Sequence, residues 1–529
     1  MAKSSSLLAA VAQLSERFPI LLVVSWAILY LRRPFVLGFY SDDWWFVIEP
    51  QHGTAPFSLD RLHYFVGLST IYAPRPLMGL TAFLVSSIAG ASPVAIQFMS
   101  TLLVLAGALS LRSWLNRIMT IFPNYRNVTG DFAVVFWLAM PWSLGETAWP
   151  TLIHNLGAQI LFTELARLLL VRQRLTLGLA ALVTAGIVGS SLFYEAFYFA
   201  IVPVAVFYWT MGRGPAKSRR DLATLLGTCF LAQAIPIAFN RYSASRAMPG
   251  SAKKFNPHWL QWTIGNLLAL PKALLNSFPE YRLLGFFLAV LVLVCALSRW
   301  SAGRHADNQR LFRRYLTGLI AVALAALVLS DAIYSAAGYG LASIGLASRT
   351  LFAASLSLTV GFFALLCPAF LPGARFTKAG LLSASAGLVL VLALAEQYRV
   401  QEWACAWREE LRILQTAPLE EIKRLPARAA ILFTGPSDYR GVPIFDSQWD
   451  LTAAVASRTP LKENRRPYQA LHTIYTAGEF TWTWDGATLS KSREGRLEAA
   501  FPAPQLYLWR EGASSHLKMA QPGFRWLRE

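Results

Sequence analysis

Charge is what this chain has least of. Only 15% of its 529 residues are Asp, Glu, Lys or Arg, whereas a soluble domain carries about 25%, and that deficit excludes one large water-soluble fold. Acidic residues are the scarcer sign, 29 against 48 Lys and Arg, for a formal net charge of +19. The excess does not indicate nucleic acid, because the basic residues lie in short runs between apolar segments, where they serve as topology determinants. Cysteine is rare too. Of four, Cys229, Cys295 and Cys367 fall in apolar segments and Cys405 just beyond the last, with no pairing or metal-ligand spacing, so they read as packing residues. There is no internal repeat or low-complexity segment, and nothing from about residue 397 onward resembles a nucleophile elbow or a phosphate loop.

What is present is hydrophobic, 55% of the residues, and the class is a polytopic all-α membrane protein. Runs long enough to cross about 30 Å of hydrocarbon occur at 19–40, 94–111, 132–149, 152–171, 175–193, 197–211, 222–239, 283–297, 316–335, 351–371 and 380–395, about eleven spans. No small-residue cleavage site follows the first run, which is expected to stay as a helix rather than leave as a signal peptide. The basic runs at 112–126, 172–174, 213–220, 299–314 and 375–378 all share one side if the N-terminus is cytoplasmic. Residues 76–90 are apolar but only about 22 Å long as a helix. Counting them as a span would put every later basic run outside, so they are expected to lie in the interface, within an external loop at 32–93 that carries Asp42, Asp43, Arg61, His63 and Arg75.

Residues 1–396 thus form a membrane domain, and residues 397–529, of mixed polar and apolar composition, a small extracytoplasmic α/β or α+β domain. Ala429-Ala-Ile-Leu-Phe-Thr-Gly435 reads as a buried strand, and residues 480–489 as a hairpin turning at Asp485-Gly486. Two basic clusters resist the topology rule: Arg32-Arg33 near the outer end of the first span, and Arg241, Arg246, Lys253, Lys254 and Lys272 in an external loop at 240–281. They either reach to lipid headgroups or hold a phosphate.

Ionisable groups in hydrocarbon are costly and persist beside a partner or a cavity. Here Glu146, His154, Asn155, Glu195, Asp331 and Arg349 all map to the outer third. Any one alone reads as an interhelical hydrogen bond; their common side implies a cavity open to the outer leaflet. The stretch Phe39-Tyr-Ser-Asp-Asp-Trp-Trp-Phe46 adds two carboxylates at the same surface, and Arg75-Pro-Leu77 follows some thirty residues on.

In that order, a first span, an acidic pair at its outer end, Arg-Pro-Leu opening a short interfacial helix, many further spans and an external C-terminal domain, the chain resembles the C-type (GT-C) membrane glycosyltransferases. Among them it is most similar to bacterial enzymes that take a sugar from a polyprenyl monophosphate, such as the O-antigen glucosyltransferase and protein mannosyltransferase-like groups. The resemblance covers residues 19–395, and Asp-Asp stands where several such families have Asp-Glu. It implies a bacterial inner-membrane enzyme transferring a hexosyl or pentosyl group, with inversion, from a polyprenyl-phosphate donor to a hydroxyl of an extracytoplasmic glycan, lipid or protein. The acceptor hydroxyl must lose a proton as it attacks, and the resemblance favours the first carboxylate, Asp42, as the base. Asp43 either orients Asp42 or the acceptor, or caps the helix opening at Trp44. The leaving phosphate calls for cations: Arg75 and Arg349 first, then Lys253, Lys254 and Arg61. Trp44, Trp45 and Trp149 either stack on sugar or belong to an interfacial aromatic belt. No divalent metal or other cofactor is expected. The competing functions are an O-antigen ligase or polymerase using a diphosphate carrier, and a flippase; the early acidic pair opposes the first, and the lack of inverted repeats the second.

Overall fold

Each of the expected apolar runs meets a helix in the structure, a computed structural model that describes residues 19–44, 54–67, 72–119, 128–171, 176–197, 199–211, 219–247, 255–278, 280–302, 307–370, 375–425, 429–436, 438–445, 448–458, 468–473, 481–493, 496–510 and 518–519. The helices up to residue 415 are α1 (Ile20–Tyr30), α2 (Leu59–Val66), α3 (Pro76–Ala89), α4 (Pro93–Met119), α5 (Val128–Leu138), α6 (Asn155–Val171), α7 (Leu177–Phe193), α8 (Ile201–Met211), α9 (Arg219–Ala247), α10 (Trp259–Asn276), α11 (Arg282–Ala302), α12 (Asp307–Ala336), α13 (Phe352–Leu366) and α14 (Arg375–Gln415); α10, of 18 residues, lies within the stretch 240–281 expected as a loop. Among the described residues six, α4, α9, α11, α12, the segment containing α13, and α14, are long and apolar enough to cross a bilayer.

Two of the others are shorter than their apolar runs for local reasons. The run 132–149 stops as a helix at Leu138 because Pro141 forces Met140 into an extended conformation (ψ 113°), and residues 141–147 continue as two short turns. The run 197–211 becomes helical only at Ile201, after Phe199 takes a positive φ of 60°. These interruptions gather on the stretches that build the candidate site.

The apolar segment 76–90 forms the short helix α3. Leu80, Leu84 and Ile88 are exposed, while Met78, Gly79, Ala82, Phe83, Ser86 and Ser87 face inward, so one face of this helix is left for lipid and the small residues meet protein. Gly79 is required there: a Cβ would fall 2.1 Å from the carbonyl oxygen of Phe65 on α2. Exposed Leu283, Phe286, Phe287 and Val294 give α11 a similar lipid-facing side.

Helix α14 has 41 residues, about 60 Å at the helical rise, twice the hydrocarbon thickness. The composition shift at Gln397 is therefore crossed by one continuous helix, whose C-terminal half enters the core beside the C-terminal strands. In that domain β1 (Ala429–Thr434) runs to β2 (Asp438–Tyr439) and β3 (Val442–Pro443), then to α15 (Gln448–Arg458), β4 (Tyr468–Thr473), β5 (Thr481–Trp484), β6 (Thr488–Arg493), β7 (Arg496–Pro502), β8 (Leu506–Arg510) and β9 (Lys518–Met519). Strand β1 is parallel to both β4 and β8, in the order β4-β1-β8-β9, and α15 makes the crossover a parallel pair needs. The hairpin β5-β6 turns where expected, with Gly486 at φ 97° and the Asp485 carboxylate accepting from the amides of Ala487 and Thr488. The chain is a polytopic helical membrane protein carrying a small C-terminal α/β domain.

Candidate active site

The acidic loop is held by three elements at once. On one side the far half of α14 grips it: Tyr40 donates its hydroxyl to the Trp403 carbonyl at 2.9 Å, Trp44 stacks on Trp407 with ring centroids 6.0 Å apart, and the Trp44 indole N–H donates to Glu410 at 3.0 Å. Gly38 admits the Trp407 ring, which would lie 2.0 Å from any Cβ there. From α4, Gln97 donates to the carbonyls of both Gly38 and Ala148. From the loop before α6, Thr151 donates its amide (2.7 Å) and hydroxyl (2.6 Å) to one oxygen of Asp43, whose other oxygen accepts from the Tyr40 amide at 2.8 Å.

The two carboxylates thereby differ in surroundings. Asp43 is fully buried; burial pushes its carboxyl well above the usual carboxylate range, the hydrogen bonds from Thr151 and Tyr40 oppose that shift, and the nearby Asp42 charge adds to it. Asp42 is half-buried and stands beside Tyr72, three residues before Arg75. Ser41, which precedes the pair, adopts a positive φ of 45°, a strained backbone of the kind that clusters at functional sites.

The Thr151 loop also carries the second half of the arrangement. Two residues earlier, Trp149 lies under the Arg349 guanidinium at 5.6 Å, and Tyr339 flanks it at 5.4 Å. Arg349 sits on a 3-10 helix, Leu346–Leu351, tied to the same stretch by a hydrogen bond from the Gly145 amide to Ser348 Oγ at 2.9 Å; the Tyr334 hydroxyl donates to the Arg349 carbonyl at 3.1 Å. Beyond the two rings, the half-buried guanidinium has no hydrogen-bond or ion-pair partner among the described residues.

Glu146 is fully buried and accepts from Asn155 at 2.9 Å through one oxygen. Its other oxygen, Asn155 Oδ1 and His154 Nδ1 have no hydrogen-bond partner among the described residues, and Arg349 and Arg75 are the cations facing it. Arg75 is engaged elsewhere: it makes a bidentate ion pair with Glu195 at 2.8 Å and 2.8 Å and lies over the Tyr194 ring. Glu146, Asn155, Glu195, Arg75 and Arg349 are thus one cluster, with Tyr194 and Tyr334 among them.

Other candidates lie apart. Arg61 is bound to the Thr54 carbonyl and hydroxyl and to the Ser86 carbonyl, and so braces α2 against α3. Asp331 accepts from Asn266 and Ser335, an interhelical bond between α10 and α12. Trp44 is buried against α14 and presents no open face. Lys253, Lys254 and Trp45 lie outside the described residues. Arg33, which the sequence reading gave to headgroups or phosphate, does neither: it is buried, paired with Glu396 of α14, stacked on Tyr30 and bonded to Thr147 at 3.0 Å. Sequence reasoning passed over Thr151, Tyr339 and Ser348. Thr151 carried one faint signal, a hydroxyl directly after Trp149-Pro150 in the two-residue gap between the expected spans 132–149 and 152–171, where a proline breaks the helix. Among the described residues no three His, Cys, Asp or Glu gather as metal ligands would.

No family model matches the chain, and no curated protein does. Solved structures do. The oligosaccharyltransferase of Archaeoglobus fulgidus in its apo form aligns at 12% identity and TM-score 0.45 over 83% of this chain and 64% of that one. The archaeal oligosaccharyltransferase AglB of the same organism, in complex with an inhibitory peptide and a dolichol-phosphate, aligns at 11% and 0.42 over 87% and 64%. The arabinofuranosyltransferase AftD from Mycobacteria aligns at 14% and 0.40 over 79% and 29%. This chain spans less than two thirds of each, and with TM-scores this low what those proteins do is not carried over to it.

Proposed function

We propose that this chain is a membrane glycosyltransferase that moves a sugar from a polyprenyl-phosphate carrier to a hydroxyl of an extracytoplasmic acceptor, in a single inverting displacement. The observation that carries the reading is the loop 149–151, which joins a carboxylate-bearing turn at Thr151 to an arginine at Trp149, an arginine whose donors meet no acceptor among the described residues. The resemblance of Ser41-Asp-Asp-Trp44 and Arg75-Pro-Leu77 to the C-type glycosyltransferases supports it from the sequence side.

In this mechanism Asp42 accepts the proton of the acceptor hydroxyl as its oxygen attacks the anomeric carbon. The bond from that carbon to the phosphate oxygen breaks on the opposite face, and the lipid phosphate leaves with the electron pair. Arg349 takes the growing charge through its planar fork, in surroundings of low dielectric where such contacts count most. Asp43 supports the base by fixing its turn, and Arg75, paired with Glu195, braces the cluster from the side. The test is transfer in vesicles containing the full chain and labelled polyprenyl-phosphate sugars. Transfer to an endogenous or added acceptor is expected from wild type and not from Asp42→Asn. Wild-type transfer by a folded Asp42→Asn protein, or no transfer from any sugar of a broad panel, refutes the reading.

A further inference from the structure

The turn that carries Arg349 begins at Gly345, and something outside the membrane domain presses on it. Gly345 has φ 64° and ψ −157°, a region essentially open to glycine alone, and its carbonyl accepts from the amide and hydroxyl of Ser348, the residue before Arg349. A Cβ on Gly345 would fall 1.9 Å from the carbonyl oxygen of Gly441. Gly441 belongs to the small β2-β3 hairpin of the C-terminal domain, so two backbones meet here with no side chain between them. Gly441 itself has φ 84°, and a Cβ there would lie 3.1 Å from Ile344 Cγ2.

The hairpin is firmly rooted. Val442 and Ile444 are buried in the same apolar cluster as Trp149 and Trp407, Asp438 accepts from the Gly441 amide at 3.0 Å, and Arg440 reaches the Tyr398 hydroxyl and Glu402 on α14. A rigid support on one side and the Gly145–Ser348 hydrogen bond on the other leave the Arg349 turn little freedom.

We propose that the β2-β3 hairpin is the abutment that sets where Arg349 stands, so that Gly345 and Gly441 are positioning residues for a lipid-linked monophosphate. This rests on the reading that Arg349 meets the donor phosphate. It assigns the C-terminal domain a part in donor binding: displacing its hairpin weakens the grip on phosphate without touching any group that contacts it.

The test uses the full chain in nanodiscs and the binding of a labelled C55 polyprenyl monophosphate. Gly441→Asn keeps the positive φ that asparagine tolerates and adds only a Cβ and its amide against Ile344. It is expected to weaken binding about ten- to a hundredfold, and adding Ile344→Ala is expected to restore most of the loss. Arg349→Gln is expected to weaken binding on its own, and Gly441→Asn added to it to cost nothing further, the non-additivity of two residues acting through one contact. Thermal midpoints report folding. Should Gly441→Asn fail to fold, Arg440→Gln releases the hairpin from α14 at an exposed position and is expected to lose several-fold affinity. Full affinity in a folded hairpin variant while Arg349→Gln binds weakly ends this proposal and leaves the phosphate reading standing. Full affinity in Arg349→Gln ends both.

Discussion

Asp42 and Asp43 are neighbours in sequence with opposite surroundings, and the difference predicts opposite phenotypes. Asp42→Asn removes a base and is expected to lower kcat by about 10²–10⁴-fold with little change in carrier affinity or folding. Asp43→Asn loses the Tyr40 contact and loosens the turn, so its expected signature is a lower thermal midpoint together with a smaller kcat loss. Its pH dependence has a definite sign. A carboxyl held above its unfolded value by burial contributes stability that is fully present below the ordinary carboxylate pKa of about 4 and is lost as pH rises through the raised value. Plotting thermal midpoint against pH for wild type and Asp43→Asn, the wild type is expected to show a descending limb above pH 4 that the variant lacks; parallel curves would contradict this. The acidic pair itself was legible in the sequence because carboxylates between aromatic residues beside a bilayer are rare. Which of the two stays accessible was not, since that depends on Thr151, 108 residues away along the chain.

At the scale of elements, the long helix α14 does more than end the membrane domain. Its buried Glu396 neutralises Arg33, just after the first helix, and its C-terminal half carries the tryptophans that clamp the acidic loop. Removing one partner of a buried pair strands a charge, so Glu396→Ala is expected to destabilise the fold by about 3–5 kcal/mol, and Arg33→Met combined with Glu396→Leu by much less, measured by denaturant unfolding in detergent. Equal losses in the single and double variants would show that the charges contribute nothing as a pair. From sequence, Arg33 was assigned to lipid or phosphate because its partner is 363 residues distant; local pattern carries no information about such a pairing. The same limit applied to Asp331, whose hydrogen bond to Asn266 spans two helices. Helix α3, by contrast, was readable in full, since its small and large faces alternate with the helical period within fourteen residues.

For the whole molecule, hydropathy placed a helix in every apolar run but missed α10 and gave lengths poorly. Prolines and extended residues inside the runs cut several helices short, and the interrupted stretches at 139–154 and 194–197 are the ones lining the candidate site. That pattern is what a membrane protein permits only where irregular backbone is buried in protein or lines a cavity. The charge-derived orientation predicts that a cysteine at exposed Thr416 is labelled from outside by an impermeant reagent and one at exposed Asp221 only after lysis, in a background lacking Cys405; the reverse pattern inverts the topology. A map of the full chain with a polyprenyl-phosphate sugar bound tests the assignment of Asp42 and Arg349 directly. The phosphate oxygens are expected within hydrogen-bond distance, about 2.7–3.2 Å, of the Arg349 guanidinium, with the anomeric carbon turned toward the Asp42 carboxylate; a phosphate seated away from Arg349, or a sugar facing away from Asp42, contradicts that assignment.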